Sequence, residues 1–232
     1  MLPADQLAEA LQACPPETFR GTLYRAVNLQ YLSSLTSGVS ALRAANRYGP
    51  PGLTEALYMA VTPDLAMVEA NQQYRHEFHM DVIPATAILP VDVDVRRVLD
   101  LTRRENQQAL GTTVAELTGQ WRVEYGAQLE ELAKSKADPH RQVKVVRVPT
   151  HDIGKAAYEA GFDAIRYESC YAGHRQTNRE NYVVFLRSGQ PAPKFQLHED
   201  VLRAAEWLAK DQAKRERAER HATRAAQRRS KT

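Results

Sequence analysis

The sequence predicts an α+β fold, in which helices surround a sheet that contains antiparallel strands. Stretches with alternating apolar residues mix with stretches of helical spacing, but they do not form regular strand–helix–strand units. Residues 162–168 and 181–186 both read as strands, and a polar loop is all that separates them, which favours antiparallel pairing over a doubly wound parallel sheet. The chain has 232 residues, 43% of them hydrophobic, so it is long enough to bury a core.

The first part of the chain predicts a helix, a strand and a region of short turns. Apolar residues recur at helical spacing in ADQLAEALQAC, with Asp5 as the candidate cap, and Pro15 stops the helix. Residues 21–27 (GTLYRAV) alternate well enough for a strand. Residues 29–45 are mixed in character and predict short helical turns.

A loop, a strand and a helix follow. Residues 46–52 (NRYGPPG) hold two prolines and two glycines and therefore predict a loop. Residues 53–60 (LTEALYMA) predict a second strand. Thr62 then caps a helix whose first residue is Pro63, where a missing N–H is harmless, and the pattern continues to about residue 78.

The middle of the chain predicts two more strands and a polar helical region. Residues 82–93 and 95–101 are rich in valine and isoleucine and read as separate strands. Residues 102–137 have helical spacing, and two glycines divide the pattern. Residues 143–148 (VKVVRV) form either a strand or the lead-in to the next helix.

That next helix, THDIGKAAYEAG, is capped by Thr150 or Asp152 and stopped by Gly161, the residue type that most often follows a helix end. The strand at 162–168 (FDAIRYE) comes directly after it. The strand at 181–186 (NYVVFL) is the last one that the pattern predicts.

Three regions are expected along the chain: an N-terminal helix over 1–20, the main domain over 21–190 and a basic helical tail over 195–232. From Arg203 onward there are ten Lys or Arg residues and four Asp or Glu residues, a net charge of +6, so the remainder carries about −3. A basic tail suits nucleic acid, but it equally suits a solvated helix or docking on an acidic partner. All three interpretations stay open.

Several classes of chemistry have no support in the sequence. The glycine-rich loops that bind dinucleotides or nucleoside triphosphates are missing, as is the GxSxG nucleophile motif. The HEFH stretch at 76–79 is not a zinc-binding HExxH, and Cys14 and Cys170 lack metal-ligand spacing, so no metal is expected. No apolar run approaches the ~18 residues that span a bilayer, and the N-terminus has no basic signal region. We therefore expect a cytoplasmic protein with no membrane contact.

One carboxylate stands out in this pattern. Glu69 shares a helical face with Leu65 and Ala66, where an acid must lie at an edge, be paired or take part in chemistry. Polar residues at strand ends and in loops accompany it along the chain. The candidate set is Tyr24, Arg25, Arg47, Tyr58, Glu69, Ser169 and Asn181.

These residues, in this order, resemble the RES-domain family, which is named for its Arg, Glu and Ser. The family has a strand like LYRAV, a Ser- and Gly-rich loop ending in a Pro-Pro-Gly turn, and a Tyr-containing strand followed by a Glu-containing helix. Here these are LYRAV, TSGVSALRAANRYGPPG and ALYMAVTPDLAMVEA. A later strand of the FDGIxYxS type and a closing strand from Asn to Phe are matched by FDAIRYES and NYVVF. The resemblance covers about residues 22–186.

The resemblance implies a fold, an activity and a partner. RES proteins are toxins of toxin–antitoxin pairs, with a split β-sheet core similar to ADP-ribosyltransferases of the diphtheria-toxin type. They consume NAD+ as a substrate by hydrolysis, by phosphorolysis or by transfer of ADP-ribose to a protein, and the sequence does not separate these outcomes. The partner is an antitoxin with an Xre-type DNA-binding domain that blocks the site; a homodimer and a hetero-oligomer both remain open.

The resemblance also implies roles for the candidate residues. Arg25 and Arg47 supply guanidinium forks for phosphate oxygens, and Tyr58 stacks on the nicotinamide ring. The Glu69 carboxylate, near the anomeric carbon, accepts a hydrogen bond from the ribose 2′-hydroxyl as positive charge develops. Ser169 and Asn181 would orient the ribose or the carboxamide. The implied catalytic residues are Glu69, Arg25 and Ser169, and the implied NAD+-binding residues are Tyr24, Arg47, Tyr58 and Asn181.

Two departures from the family pattern keep a second hypothesis open. Ala45-Asn46 replaces a Gly pair before the loop arginine, and Tyr48-Gly49 replaces Trp-Asn after it. With such a loop, the chain could be a degenerate, non-enzymatic RES-like module that binds a protein or nucleic acid. Each candidate side chain also has an ordinary structural alternative, such as a surface ion pair for Arg25 or a core position for Tyr58.

Overall fold

The structure is a computed structural model that describes residues 1–34, 38–72, 84–121, 123–128, 147–171, 178–187 and 189–204, with single positions or short pieces at 75, 206–208, 210, 211, 214 and 217. The helices are α1 (Ala4–Ala10), α2 (Val39–Arg43), α3 (Pro63–Gln72), α4 (Arg104–Ala109), α5 (Val114–Thr118) and α6 (Pro149–Glu159). The strands are β1 (Glu17–Asn28), β2 (Ala56–Ala60), β3 (Thr86–Asp100), β4 (Ala164–Glu168), β5 (Glu180–Phe185) and β6 (Lys194–Phe195). Helical turns also occur at Leu11–Ala13 and Leu29–Ser34, and residues 123–128 are helical.

The strands form one sheet in the order β1-β2-β5-β4-β3-β6, and β1 also pairs with β3. Two halves can be distinguished: a long antiparallel β1–β3 pair and the antiparallel group β2–β5–β4. Within the described part of the chain, one pairing, Tyr24 with Ala60, joins the halves at one end. Three parallel pairs between β3 and β4 join them at the other. The predicted α+β class with a split sheet and the antiparallel β4–β5 pair are confirmed.

The predicted separation of residues 82–93 from 95–101 is wrong for the part that the structure describes. Residues 86–100 form the single strand β3, because the alternation of buried and exposed side chains runs unbroken from Leu89 to Arg96. Val91, Val93 and Val95 all face the core. Residues 82 and 83 lie outside the described residues.

A β-bulge follows in β3. The register with β1 shifts between Phe19, which faces Val95, and Glu17, which faces Val98, so β3 carries one additional residue there. The carboxylate of Asp163 accepts the backbone N–H groups of Arg96 at 2.9 Å and Arg97 at 3.0 Å. One side chain thus satisfies amides that the bulge removes from the ladder.

We expect Asp163→Ala to lower the free energy of unfolding by about 1–2 kcal/mol, because three hydrogen bonds disappear at a partly solvated position: the two from backbone N–H groups and one from Gln190 Nε2. Urea unfolding followed by circular dichroism measures this. Asp94→Ala is the matched control: its contact with Arg20 is an exposed ion pair at 3.8 Å, and such pairs contribute little. Equal stability of the two variants would contradict the role given to Asp163.

Several helix boundaries differ from the predicted ones. The residue that caps α1 is Pro3 rather than Asp5, and Val148 precedes α6, whose first residue is Pro149. Both prolines have a backbone that suits a helix start, so each helix begins earlier than predicted. The predicted caps Asp5, Thr150 and Asp152 therefore lie in the first turns, where the two acidic side chains interact favourably with the helix dipole. The caps predicted at Thr62 and Gly161 are confirmed: Thr62 Oγ1 accepts from Leu65 N at 3.2 Å, and Gly161 has φ +82°.

The strands also differ in extent. β1 begins at Glu17, within the region assigned to the N-terminal helix, and β5 is not the last strand, because β6 pairs with Val91 and Asp92 of β3. β6 has two residues, too few for a periodic pattern. The predicted end of α3 near residue 78, the segment 143–146 and most of the basic tail beyond residue 211 lie outside the described residues.

The core lies on both faces of the sheet. On one face, α1 and α6 bury Leu7 and Ile153 against Phe185. On the other, Leu23 and Leu57 pack with valines of β3. Each fully buried apolar side chain contributes about 1.5–3 kcal/mol relative to exposure, so these clusters fix how the strands that carry the candidate residues are oriented. Among the described residues, no helix combines the length and apolar character needed to cross a bilayer.

Candidate active site

Glu69 lies on α3 and its carboxylate is held by two side chains. Oε1 accepts hydrogen bonds from Asn181 Nδ2 at 2.6 Å and from Ser169 Oγ. Asn181 and Ser169 are both buried, at 3% and 6% exposed. The carboxylate on an otherwise apolar helical face is therefore paired, and its two partners come from the far end of the sequence.

The sheet brings these partners to Glu69. Asn181 is the second residue of β5, where it faces Ala60 of β2 on one side and Tyr167 of β4 on the other. Ser169 follows the last residue of β4, and its N–H donates to Arg179 O at 2.7 Å, which extends the ladder by one step. The N–H of Tyr171 donates to Ser169 Oγ at 3.1 Å, which leaves the hydroxyl hydrogen directed at Glu69.

Arg25 and Tyr24 reach the same place from β1. Arg25 faces Leu89 of β3, and Tyr24 forms the single pairing between β1 and β2. Burial lowers the pKa of Arg25 to about 10, so its guanidinium stays protonated at neutral pH. Tyr24 packs against an apolar cluster formed by Ala60 of β2 with Leu65 and Ala66 of α3.

Arg47 comes from the loop before β2 and is bound to backbone carbonyls. Its Nη1 donates to Leu117 O at 2.8 Å and to Gly119 O at 2.9 Å, and its Nη2 donates to Cys170 Sγ at 3.0 Å. Burial works to lower its pKa, but the nearby acidic groups, Cys170 first and Glu69 among them, raise the pKa above the ordinary arginine value. Burial raises the pKa of the Cys170 thiol to about 11, so the thiol stays neutral.

Tyr58 lies on β2, the strand that connects the loop carrying Arg47 with helix α3. Its hydroxyl accepts the N–H of Tyr48 at 3.2 Å, which ties β2 to the loop that carries Arg47. The ring of Tyr48 is fully buried, with its centroid 4.7 Å from that of Tyr167. Burial raises the pKa of both phenols, Tyr48 and Tyr167, so both hydroxyls stay neutral at neutral pH.

A cavity of about 260 Å³ connects these side chains, just below the ~300–1,000 Å³ usual for small-molecule sites. Six of the seven candidate residues line it, and Ser169 reaches it through Glu69. Other lining residues were not predicted from the sequence. They include Ser40, Asn46, Trp121, Tyr167 and Tyr171.

Of the missed residues, Tyr167 and Tyr171 flank Ser169 in sequence, and this adjacency was the available signal. Trp121 lies in the polar helical region between β3 and α6, where no motif points to it. Among the described residues, no cluster of three His, Cys, Asp or Glu side chains could hold a metal ion. The HEFH stretch at 76–79 lies outside the described residues.

The cavity combines three chemical capacities. A carboxylate held at one oxygen can stabilise positive charge, a half-buried arginine on β1 can attract an anionic group, and aromatic side chains can pack against a flat ring. A ligand that suits all three is anionic at one end, carries a planar ring at the other, and becomes cationic between them during reaction.

Comparison with known proteins identifies the family of the chain. The family model described as RES domain matches residues 22–207, most of the chain. The chain therefore belongs to the RES-domain family, as its motifs predict. No curated protein matches the sequence at a significant level.

The fold also resembles a solved structure. A chain of the M. tuberculosis MbcT–MbcA toxin–antitoxin complex superposes with a TM-score of 0.59, with 19% sequence identity, over 83% of this chain and 90% of that chain. At this identity the likeness shows a common fold, and it confirms the predicted class of a sheet core with surrounding helices.

Proposed function

We propose that the protein is the toxin of a toxin–antitoxin pair and that it cleaves the nicotinamide–ribose bond of NAD+. The observation that carries the proposal is the Glu69 carboxylate, fixed by Ser169 and Asn181 inside a cavity that Arg25 also lines. Membership of the RES-domain family and the likeness to a chain of a toxin–antitoxin complex support the biological role.

In the proposed reaction, the bond between C1′ of the ribose and the nicotinamide nitrogen breaks, and its electron pair goes to the nitrogen. The cationic ring leaves as neutral nicotinamide, so no strong general acid is needed. The ribose becomes oxocarbenium-like and is captured by water, by phosphate or by a protein side chain. The oxygen of Glu69 that faces the ribose accepts the 2′-hydroxyl hydrogen bond and stabilises the developing charge.

The other residues bind and position in this scheme. Arg25 is protonated at neutral pH and pairs with the pyrophosphate. Tyr24 and Tyr58 line the cavity and bound the space for nicotinamide and ribose. Ser169 and Asn181 hold Oε1 of Glu69, so they act on the substrate through the carboxylate, whereas the sequence predicted that they orient the substrate directly.

The proposed partner is a cognate antitoxin that carries an Xre-type DNA-binding domain and covers the cavity. We assign the catalytic unit to residues 21–190. The family match continues to residue 207, so the first turns of the basic tail at 195–232 are proposed to belong with that unit. The remainder of the tail is a candidate contact for the acidic partner or for nucleic acid.

The test is product analysis with purified protein. NAD+ is incubated with the chain in buffers with and without phosphate, and nicotinamide, ADP-ribose and ADP-ribose phosphate are separated by mass spectrometry. Release of nicotinamide supports the proposal, and the second product identifies the acceptor. Intact NAD+ under both conditions, with tight salt-dependent binding to DNA, would contradict it and favour the non-enzymatic module.

Ser169→Ala and Asn181→Ala are each expected to lower the rate of NAD+ consumption about tenfold, since each removes one charge-assisted hydrogen bond from Glu69. In a Glu69→Gln background both effects should shrink, because their target is already altered. Thr22→Ala is the control: its hydroxyl donates to Asp92 at 2.9 Å on an exposed part of β1. Full additivity with Glu69→Gln would contradict action through the carboxylate.

A further inference from the structure

The C-terminal end of α5 is capped by a side chain from a distant loop. A helix leaves its last carbonyls without intrahelical partners, and these form the negative end of its dipole. Here Leu117 O and Gly119 O receive both hydrogens of Arg47 Nη1, at 2.8 and 2.9 Å. The positive charge of Arg47 therefore stabilises the turn that leaves α5.

That turn places Trp121 in the wall of the cavity. The N–H of Trp121 donates to Gly119 O at 2.9 Å, so the oxygen that binds Arg47 also binds the backbone of Trp121. On its other side the indole ring packs against His151 of α6, with ring centroids 5.2 Å apart. Trp121 is 7% exposed and lines the same cavity as Glu69. Arg47 thus holds the backbone next to Trp121 through Gly119 O, and the buried imidazole of His151 packs against the indole ring.

We infer that Trp121 is the aromatic wall against which the nicotinamide ring of NAD+ packs, and that Arg47 is the residue that positions it. This deepens the proposed function and rests on it. Because Nη1 has both hydrogens engaged and Nη2 has one on Cys170, Arg47 does not present its end-on fork to a phosphate. Of the two arginines that the sequence predicted to bind phosphate, Arg25 keeps that role.

The charge of the nicotinamide ring decides whether its contact with Trp121 affects KM or kcat. The nicotinamide ring of NAD+ is a pyridinium cation, and an indole face attracts a cation more strongly than a phenyl or phenol face does. Nicotinamide is neutral after cleavage, so the attraction weakens as the bond breaks. Removing an interaction that the ground state holds at least as strongly as the transition state raises KM and leaves kcat unchanged or somewhat higher.

The first experiment compares Trp121→Leu with Trp121→Phe in NAD+ kinetics. Both fill the position with an apolar group, but Phe alone keeps an aromatic face. We expect Trp121→Leu to raise KM about tenfold with kcat within about threefold of the original value, and Trp121→Phe to recover most of the loss. If KM is unchanged in Trp121→Leu while the unmodified protein turns over NAD+ normally, the inference about Trp121 is overturned and the proposed function stands. Failure of the unmodified protein to consume NAD+ would instead overturn the proposed function.

A spectroscopic measurement reports on the same contact without turnover. The chain has two tryptophans, and the second, Trp207, is 65% exposed, so Trp207→Phe leaves Trp121 as the single indole emitter. In that background, nicotinamide riboside should quench the fluorescence with a saturable dependence on concentration. Emission that does not respond to saturating nicotinamide riboside would overturn the contact.

The role of Arg47 is tested with ligands that differ in phosphate. If Arg47 positions Trp121, Arg47→Ala weakens the binding of NAD+ and of nicotinamide riboside by the same factor, about tenfold. If it binds pyrophosphate, NAD+ alone loses affinity, and the inference fails. Should Arg47→Ala not fold, Arg47→Lys serves the same comparison, since one ammonium group cannot replace three directed hydrogen bonds. Equal losses for the two ligands support positioning with either variant.

Discussion

Replacing Glu69 with glutamine is expected to lower kcat for NAD+ consumption by about 10²- to 10³-fold, with KM little changed. The amide oxygen of glutamine can still accept from Ser169 and Asn181, which hold Oε1 in the native protein. The variant therefore keeps the shape of the site and loses the negative charge. Because that charge interacts most strongly with an oxocarbenium-like ribose, the loss falls on the transition state and not on NAD+ binding.

Initial rates of nicotinamide release measure the effect. Glu159→Gln is the matched control, because it makes the same change on α6 at an exposed position, paired with Lys155 at 3.9 Å. In cells, Glu69→Gln should also relieve growth inhibition that Glu159→Gln retains. A Glu69→Gln enzyme within about threefold of the native rate would show that electrostatic stabilisation by this carboxylate does not drive the reaction.

Sequence reasoning located this carboxylate because local rules conflict there. A helix with an apolar face has no structural use for a half-buried acid, so Glu69 required a partner or a function. The ordered motifs then supplied Arg25, Ser169 and Asn181, and the structure brings all of them to the same cavity edge. Polar and charged residues that are energetically unfavourable in their own helix or strand were therefore predictable as candidate site residues.

The remaining features depend on contacts between distant elements. Arg47 was predicted as a site residue, but its carbonyl partners on α5 follow from how the loop packs, which no local pattern encodes. Trp121 is predicted by no motif, because its place in the cavity depends on that same contact. Likewise, β3 read as two strands because its continuity relies on Asp163, which satisfies the bulge amides from outside the strand.

Gly154→Ala is expected to destabilise the protein by about 3 kcal/mol or to prevent folding, although it lies inside a helix. Helix propensity alone would make alanine more stable than glycine there by about 1 kcal/mol. A Cβ on residue 154, however, would lie 1.8 Å from the carbonyl oxygen of Tyr48 and 2.6 Å from its carbonyl carbon. Backbone atoms cannot rotate away as a flexible side chain can, so either α6 or the loop must move.

The loop has little freedom to move. The ring of Tyr48 is fully buried against Tyr167, and its N–H donates to Tyr58 in the cavity wall. A displaced Tyr48 would also shift Arg47, and with it the turn that carries Trp121. Any Gly154→Ala protein that folds should therefore lose affinity for NAD+ as well as stability.

Gly126→Ala supplies the opposite result in the same experiment. Gly126 lies in the helical residues 123–128, and a Cβ there meets no atom within 4 Å. It should raise the free energy of unfolding by about 0.5–1 kcal/mol in urea titrations, as helix propensity predicts. If Gly154→Ala unfolded at or above the native midpoint, α6 would not press on the Tyr48 backbone. The position of Arg47 beside α5 would then have to depend on other contacts.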